Sequence, residues 1–152
     1  MMPYISELSN RAEEFMRQGD NCCEAVVRAA DKVWGLKLAP ESIAVTSLFK
    51  EGMDSGCTCG ALVGMVMISG ILKNRYGHPL KDKLAEDLTS RFRAEFGSTC
   101  CRVICKQRPL WEKIGRKGCI VLTAKTAGIL EEVWTDVQQS TEQNFRDYTQ
   151  AQ

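Results

Sequence analysis

The chain has 152 residues and a net charge of +1, long enough to bury a core without cross-links and too balanced to steer nucleic acid or an anionic membrane surface as a partner. It opens Met-Met-Pro-Tyr-Ile-Ser-Glu, without the basic region and apolar run of an export signal, and its uncharged stretch from Gly56 to Leu72 is shorter than the roughly twenty apolar residues a membrane span needs. A cytoplasmic protein without membrane insertion is the expectation, and in that setting its eight cysteines point to metal, cluster or redox chemistry ahead of structural bridges.

From Pro3 to Gln18 the apolar residues Ile5, Leu8, Ala12, Phe15 and Met16 recur at helical spacing, with Pro3 suited to a first turn and Gly19 to a stop. Asp20 or Asn21 then caps a second helix, whose stripe of Cys22, Val26, Ala29 and Val33 ends at Gly35. A shorter helix follows from Pro40 through Leu48, and residues 50–55 read as a loop. The central helix is expected from Thr58 to about Tyr76, stopped by Gly77, His78 and Pro79. Gly60 and Gly64 lie four apart on one face of it, which would let another backbone come close or leave room for a ligand. Leu80, Leu84, Leu88, Phe92 and Phe96 mark the next helix. Ser98 or Thr99 caps a short helix bearing Cys100, Cys101 and Cys105, and Pro109 ends it. After a turn around Trp111 and Ile114 and a basic loop between Gly115 and Gly118, a last long helix starts near Cys119 and buries Ala127, Leu130, Trp134 and Val137. No segment alternates apolar and polar residues over a strand's length. The expected fold is all-α: one compact domain over residues 1–140, of about five to seven helices around the Gly/Cys-rich central helix, with a polar, frayed tail over 141–152.

Cys22, Cys59, Cys101 and Cys119 each fall at the start of a different expected helix. Unpaired backbone N–H groups and the positive end of the helix dipole favour a thiolate there, so these sulfurs are expected to have lowered pKa values and to be reactive or ligating. Cys23, Cys57, Cys100 and Cys105 adjoin them as secondary candidates. There is no Cys-x-x-Cys, so zinc ribbons, thioredoxin-type pairs and the usual ferredoxin run are absent. The one histidine, His78, sits in a Gly-His-Pro turn and reads as a loop residue rather than the partner of a nucleophilic cysteine.

Cys59-Gly60-Ala61-Leu62-Val63-Gly64 resembles the Cys-Gly-Ala-x-x-Gly motif of a family of redox-active proteins known for four invariant cysteines. Asn21-Cys22-Cys23-Glu24 is similar to that family's first cysteine segment, Gly97-Ser98-Thr99-Cys100-Cys101 to its third and Gly118-Cys119 to its fourth. The resemblance implies Cys22, Cys59, Cys101 and Cys119 as the redox or ligand set, with Gly60, Ala61 and Gly64 beside any cofactor. A related domain accompanies an iron–sulfur centre in split-Soret cytochromes, which implies electron transfer and a paired assembly.

The leading expectation is therefore a small redox protein whose four cysteines hold an iron–sulfur cluster or another thiophilic metal such as zinc, passing electrons to an unnamed redox partner. A metal-free thiol–disulfide protein is the first alternative, and a helical interaction module with inert buried cysteines the second. A homodimer is expected because three tryptophans and five phenylalanines give a small helical chain apolar surface to spare. A serine replacing Cys59 is expected to cost about 1–3 kcal/mol if its hydroxyl goes unpaired.

Overall fold

The computed structural model describes the backbone of residues 6–150 and the side chains of residues 6–137. In chain order its helices are α1 (Glu7–Arg17), α2 (Cys22–Trp34), α3 (Pro40–Ala44), α4 (Gly60–Tyr76), α5 (Leu84–Phe96), α6 (Cys101–Lys106), α7 (Leu110–Lys113) and α8 (Lys117–Gln150). Five are long and form the frame, while α3, α6 and α7 lie in the connections. Among the described residues there is no strand, only an isolated bridge between Thr58 and Cys100, so the fold is all-α as expected. Pro3 lies outside the described residues. Of the polar tail only the backbone to Gln150 is described, and it continues as helix.

Local chemistry sets the boundaries. Ser6 Oγ accepts a hydrogen bond from the Ser9 N–H (2.9 Å) and starts α1. Of the two caps offered for α2, Asn21 is the one used: its Oδ1 accepts from the Glu24 N–H (2.9 Å), and its Nδ2 donates to the Thr46 and Ser47 carbonyls (both 3.2 Å). That side chain therefore starts a helix and ties the segment after α3 to it. The stretch expected to be helical from Leu80 begins instead with a 3-10 turn over Lys81–Lys83, and the α-helix starts at Leu84. The turn expected at Trp111 contains α7, whose N-cap is Pro109. The last helix starts two residues earlier than expected, at Lys117.

Helix α1 packs on α2 and α8, α2 on α4, and α4 on α5 and α8. Their shared core includes Leu8, Val26, Met65, Ile68, Leu88, Phe92 and Leu130, all fully buried. Burying a side chain of this size is worth about 1.5–3 kcal/mol, so these contacts hold the frame together. Helix α4 is apolar on most of its surface because it has helices on several sides. A methyl group on Gly64 would come within 2.9 Å of the Cys23 carbonyl and 3.1 Å of Val26 Cβ, while one on Gly60 would strike the Phe49 carbonyl. These glycines let α4 lie directly on the backbone of α2 and of the segment before the 3-10 turn Lys50–Gly52, which fixes where the N-terminus of α4 points.

Candidate functional site

The N-termini of α2, α4, α6 and α8 meet at one end of the frame. The starts of α4 and α6 are stitched side by side by backbone hydrogen bonds: Cys59 N–H to the Thr99 carbonyl (2.9 Å), Cys101 N–H to Cys57 (2.6 Å) and Arg102 N–H to Gly56 (3.1 Å). Between the four termini is an open cavity of about 610 Å³, and Cys22, Cys59, Cys101, Cys105 and Cys119 all line it. Cys22 and Cys101 are the first residues of their helices, Cys59 is the N-cap of α4, and Cys119 is the third residue of α8.

The other cysteines face elsewhere. Cys23 is fully buried against α4, its Sγ 3.8 Å from Met67 Sδ. Cys57 is exposed, and the Cys100 thiol donates to the Gly56 carbonyl (3.0 Å). Of the motif residues offered as cofactor neighbours, Gly60 lines the cavity, whereas Ala61 is fully buried in the core and Gly64 is pressed on α2. His78 stands edge-on to Trp134 (ring centroids 5.0 Å apart) and lines a different, smaller cavity with Asp87 and Arg91, and burial lowers its pKa.

The expectation that all four helix-start sulfurs have lowered pKa values is corrected by their burial. Cys59 is raised by desolvation, although the N–H groups of Ala61 and Leu62 aim at its sulfur and pull the other way. Cys101 is pushed up to about 12 by desolvation and then by the neighbouring Cys105. Cys23 is likewise pushed up to about 12, by burial and then by Glu24. Cys22 and Cys119 pack on the same small cluster of Met16, Ala25 and Ile120 and line the same cavity. The proximity of the two thiols shifts them in opposite directions: Cys119 and burial raise Cys22 strongly, and Cys22 lowers Cys119 to about 5. Burial opposes the drop at Cys119, and the Arg108 guanidinium, whose Nη1 is 3.1 Å from Cys119 Sγ, supports it. A helix N-terminus therefore does not overcome desolvation here without a cation or a thiol donor beside the sulfur.

A chain of this length with four cysteines carried to one cavity by four helix starts has a counterpart among known families. Residues 20–133 match the family model described as "Putative redox-active protein (C_GCAxxG_C_C)". The chain belongs to this family. No curated protein and no solved structure matches it. The C_GCAxxG_C_C match covers every helix that contributes a sulfur to the cavity, from the start of α2 into α8.

Arg108 is the site residue that sequence reading missed. It belongs to no motif and lies in the three-residue connection between α6 and α7, and its value becomes visible only where its side chain crosses to α8. Among the described residues no three Cys, His, Asp or Glu side chains stand close enough together to share one metal ion. The five sulfurs line a cavity; as placed they do not converge on a point.

Proposed function

We propose that this member of the C_GCAxxG_C_C family is a thiol–disulfide redox protein whose working pair is Cys22 and Cys119. The observation that carries the reading is their placement: two cysteines from distant parts of the chain pack on the same cluster of Met16, Ala25 and Ile120 and line one open cavity, with Arg108 Nη1 3.1 Å from the Cys119 sulfur to hold it as the thiolate. In the step this arrangement serves, the Cys119 thiolate attacks one sulfur of a substrate disulfide, and the other sulfur leaves as a thiolate and takes up a proton. Cys22 gives up its proton and attacks Cys119 Sγ, which releases the first substrate sulfur. Two electrons pass to the substrate, which departs as two thiols, and Cys22 and Cys119 remain joined as a disulfide.

Counting thiols by mass after alkylation tests this. The reduced protein is expected to lose two hydrogens on exposure to a small disulfide, and Cys119→Ser to lose none at that pair; an unchanged thiol count in the wild type under mild oxidation removes the reading.

A second reading is an iron–sulfur cluster or zinc held by Cys22, Cys59, Cys101 and Cys119, supported by their lining a single cavity from four separate helix starts. It requires the cavity walls to draw the sulfurs together. Anaerobic reconstitution with iron and sulfide, followed by visible absorption and elemental analysis for iron and zinc, decides it, and a colourless, metal-free product sinks it. Inert cysteines in a helical interaction module would give a signal in neither experiment. We propose further that the chain pairs as a homodimer, supported by the exposed Leu110, Trp111 and Ile114 beside the cavity rim, and light scattering at the 17.0 kDa monomer mass would refute it. Among the described residues no helix is long and apolar enough to cross a membrane.

A further inference from the structure

Cys105 lies outside the four cysteines of the family motif, yet it lines the same cavity as they do. It stands one turn after Cys101 on α6, so the two side chains share a helix face, and both line the cavity. The Arg108 guanidinium connects this pair to the other one, because the same Nη1 atom lies 3.1 Å from Cys119 Sγ and 3.7 Å from Cys105 Sγ. The chain makes room for this crossing. A methyl group on Gly118, the residue before Cys119, would fall 2.6 Å from Arg108 Cδ and 2.7 Å from its Nε, so any larger residue there must displace the guanidinium from this path.

We propose that Cys101 and Cys105 form a second redox pair, and that electrons move between it and Cys22–Cys119 by thiol–disulfide exchange across the contact Arg108 organises. The inference rests on the thiol–disulfide reading of the site. With Cys22–Cys119 oxidised, the Cys105 thiolate attacks Cys119 Sγ, the bond to Cys22 breaks, and Cys22 leaves as a thiolate and takes up a proton. Cys101, having given up its proton, then attacks Cys105 Sγ. Cys119 leaves as the thiolate beside Arg108, and the disulfide has moved to Cys101–Cys105. Two electrons have passed from the α6 pair to Cys22 and Cys119 with no external oxidant. Helix α6 has only six residues and Arg102, Val103 and Lys106 are exposed on it, so it presents the second pair at the surface and can adjust to the bridge geometry. Arg108 is a positioning residue in this scheme, acting on both sulfurs and on no substrate atom.

The full-length protein is reduced, treated with one and then two equivalents of oxidised glutathione, alkylated and mapped by peptide mass. The first equivalent is expected to distribute between the Cys22–Cys119 and Cys101–Cys105 bridges, and the second to fill both. Cys101→Ser, which removes the thiol that resolves the intermediate, is expected to stop the exchange half-way and accumulate the Cys105–Cys119 bridge. Gly118→Ala, which displaces the movable end of Arg108 while leaving the helical circular dichroism intact, is expected to slow transfer between pairs at least tenfold, with both bridges still able to form. The proposal is overturned if Cys101 and Cys105 remain alkylated after two equivalents while Cys22–Cys119 forms, or if Cys101→Ser joins Cys119 to Cys59. Absence of the Cys22–Cys119 bridge at every ratio instead overturns the underlying reading of the site.

Discussion

The body of the bundle and its cysteine end are held by different means. In the body, α1, α2, α4, α5 and α8 bury continuous stripes such as Leu8 and Ala12, Val26 and Ala30, and Leu88 and Phe92, each side chain supported by several neighbours. At the cysteine end, short helices and helix starts are joined by single hydrogen bonds, by the Thr58–Cys100 bridge, and by one guanidinium shared between sulfurs. The first arrangement spreads stability over many contacts of similar size, and the second concentrates it in a few groups whose protonation matters. Redox chemistry suits the second region, because its sulfurs line an open cavity and can change partners without unpacking the core.

The largest expected effect falls where the two regions join. Gly60→Ala drives a methyl group into the Phe49 carbonyl and must shift α4 or the segment before it, so a loss of about 3 kcal/mol in urea unfolding is expected, with altered alkylation of Cys59. A wild-type midpoint in the mutant would mean that the joint is looser than these contacts imply.

The cysteine end should also carry much of the pH dependence of stability. Cys119 has a folded value of about 5 against an ordinary 9.0, so it contributes stability that is fully present above pH 9 and is lost as the pH falls towards 5. Cys22 is shifted the opposite way from 9.0, so its contribution is fully present below pH 9 and is lost as the pH rises through its raised folded value. Thermal midpoints are expected to climb from pH 5 towards pH 9 and decline beyond it. Arg108→Met should flatten the acid limb and move the half-maximal alkylation of Cys119 upward by one pH unit or more; an unaltered profile would show that the guanidinium does not hold the thiolate.

A smaller change in stability is expected at Cys59, where the structure revises the cost anticipated for serine. The N–H groups of Ala61 and Leu62 face this N-cap position, and a serine hydroxyl is a good acceptor for them, so Cys59→Ser should stay within about 1 kcal/mol of wild type. Loss of metal uptake or thiol exchange in that folded variant would place Cys59 in the chemistry; full retention of both would assign it to capping and packing.

The smallest effect is expected within the body, on the same helix as Gly60. Gly70 is exposed and a methyl group there meets nothing within 4 Å, so Gly70→Ala should raise stability by about 0.5–1 kcal/mol through helix propensity alone. Destabilisation at that position would reveal an unseen contact on this face of α4.

Sequence alone determined the helices and where the sulfurs stand along them. Helix periodicity, caps such as Asn21 and stops such as Gly35 are local properties, each decided by residues within a few positions of one another. The same local reading put Cys22, Cys59, Cys101 and Cys119 at four helix starts and tied the Gly60–Gly64 spacing to close approach of another backbone. Which sulfurs meet was decided by tertiary structure, because that depends on how α2, α4, α6 and α8 converge in space. Convergence gave Cys105 a cavity-facing position and left Cys57 and Cys100 outside, although these two stand closer in the chain to a motif cysteine than Cys105 does. It also decided the direction of each pKa shift: a helix dipole is a local, modest influence, whereas desolvation and the reach of Arg108 depend on what the folded chain places around each sulfur.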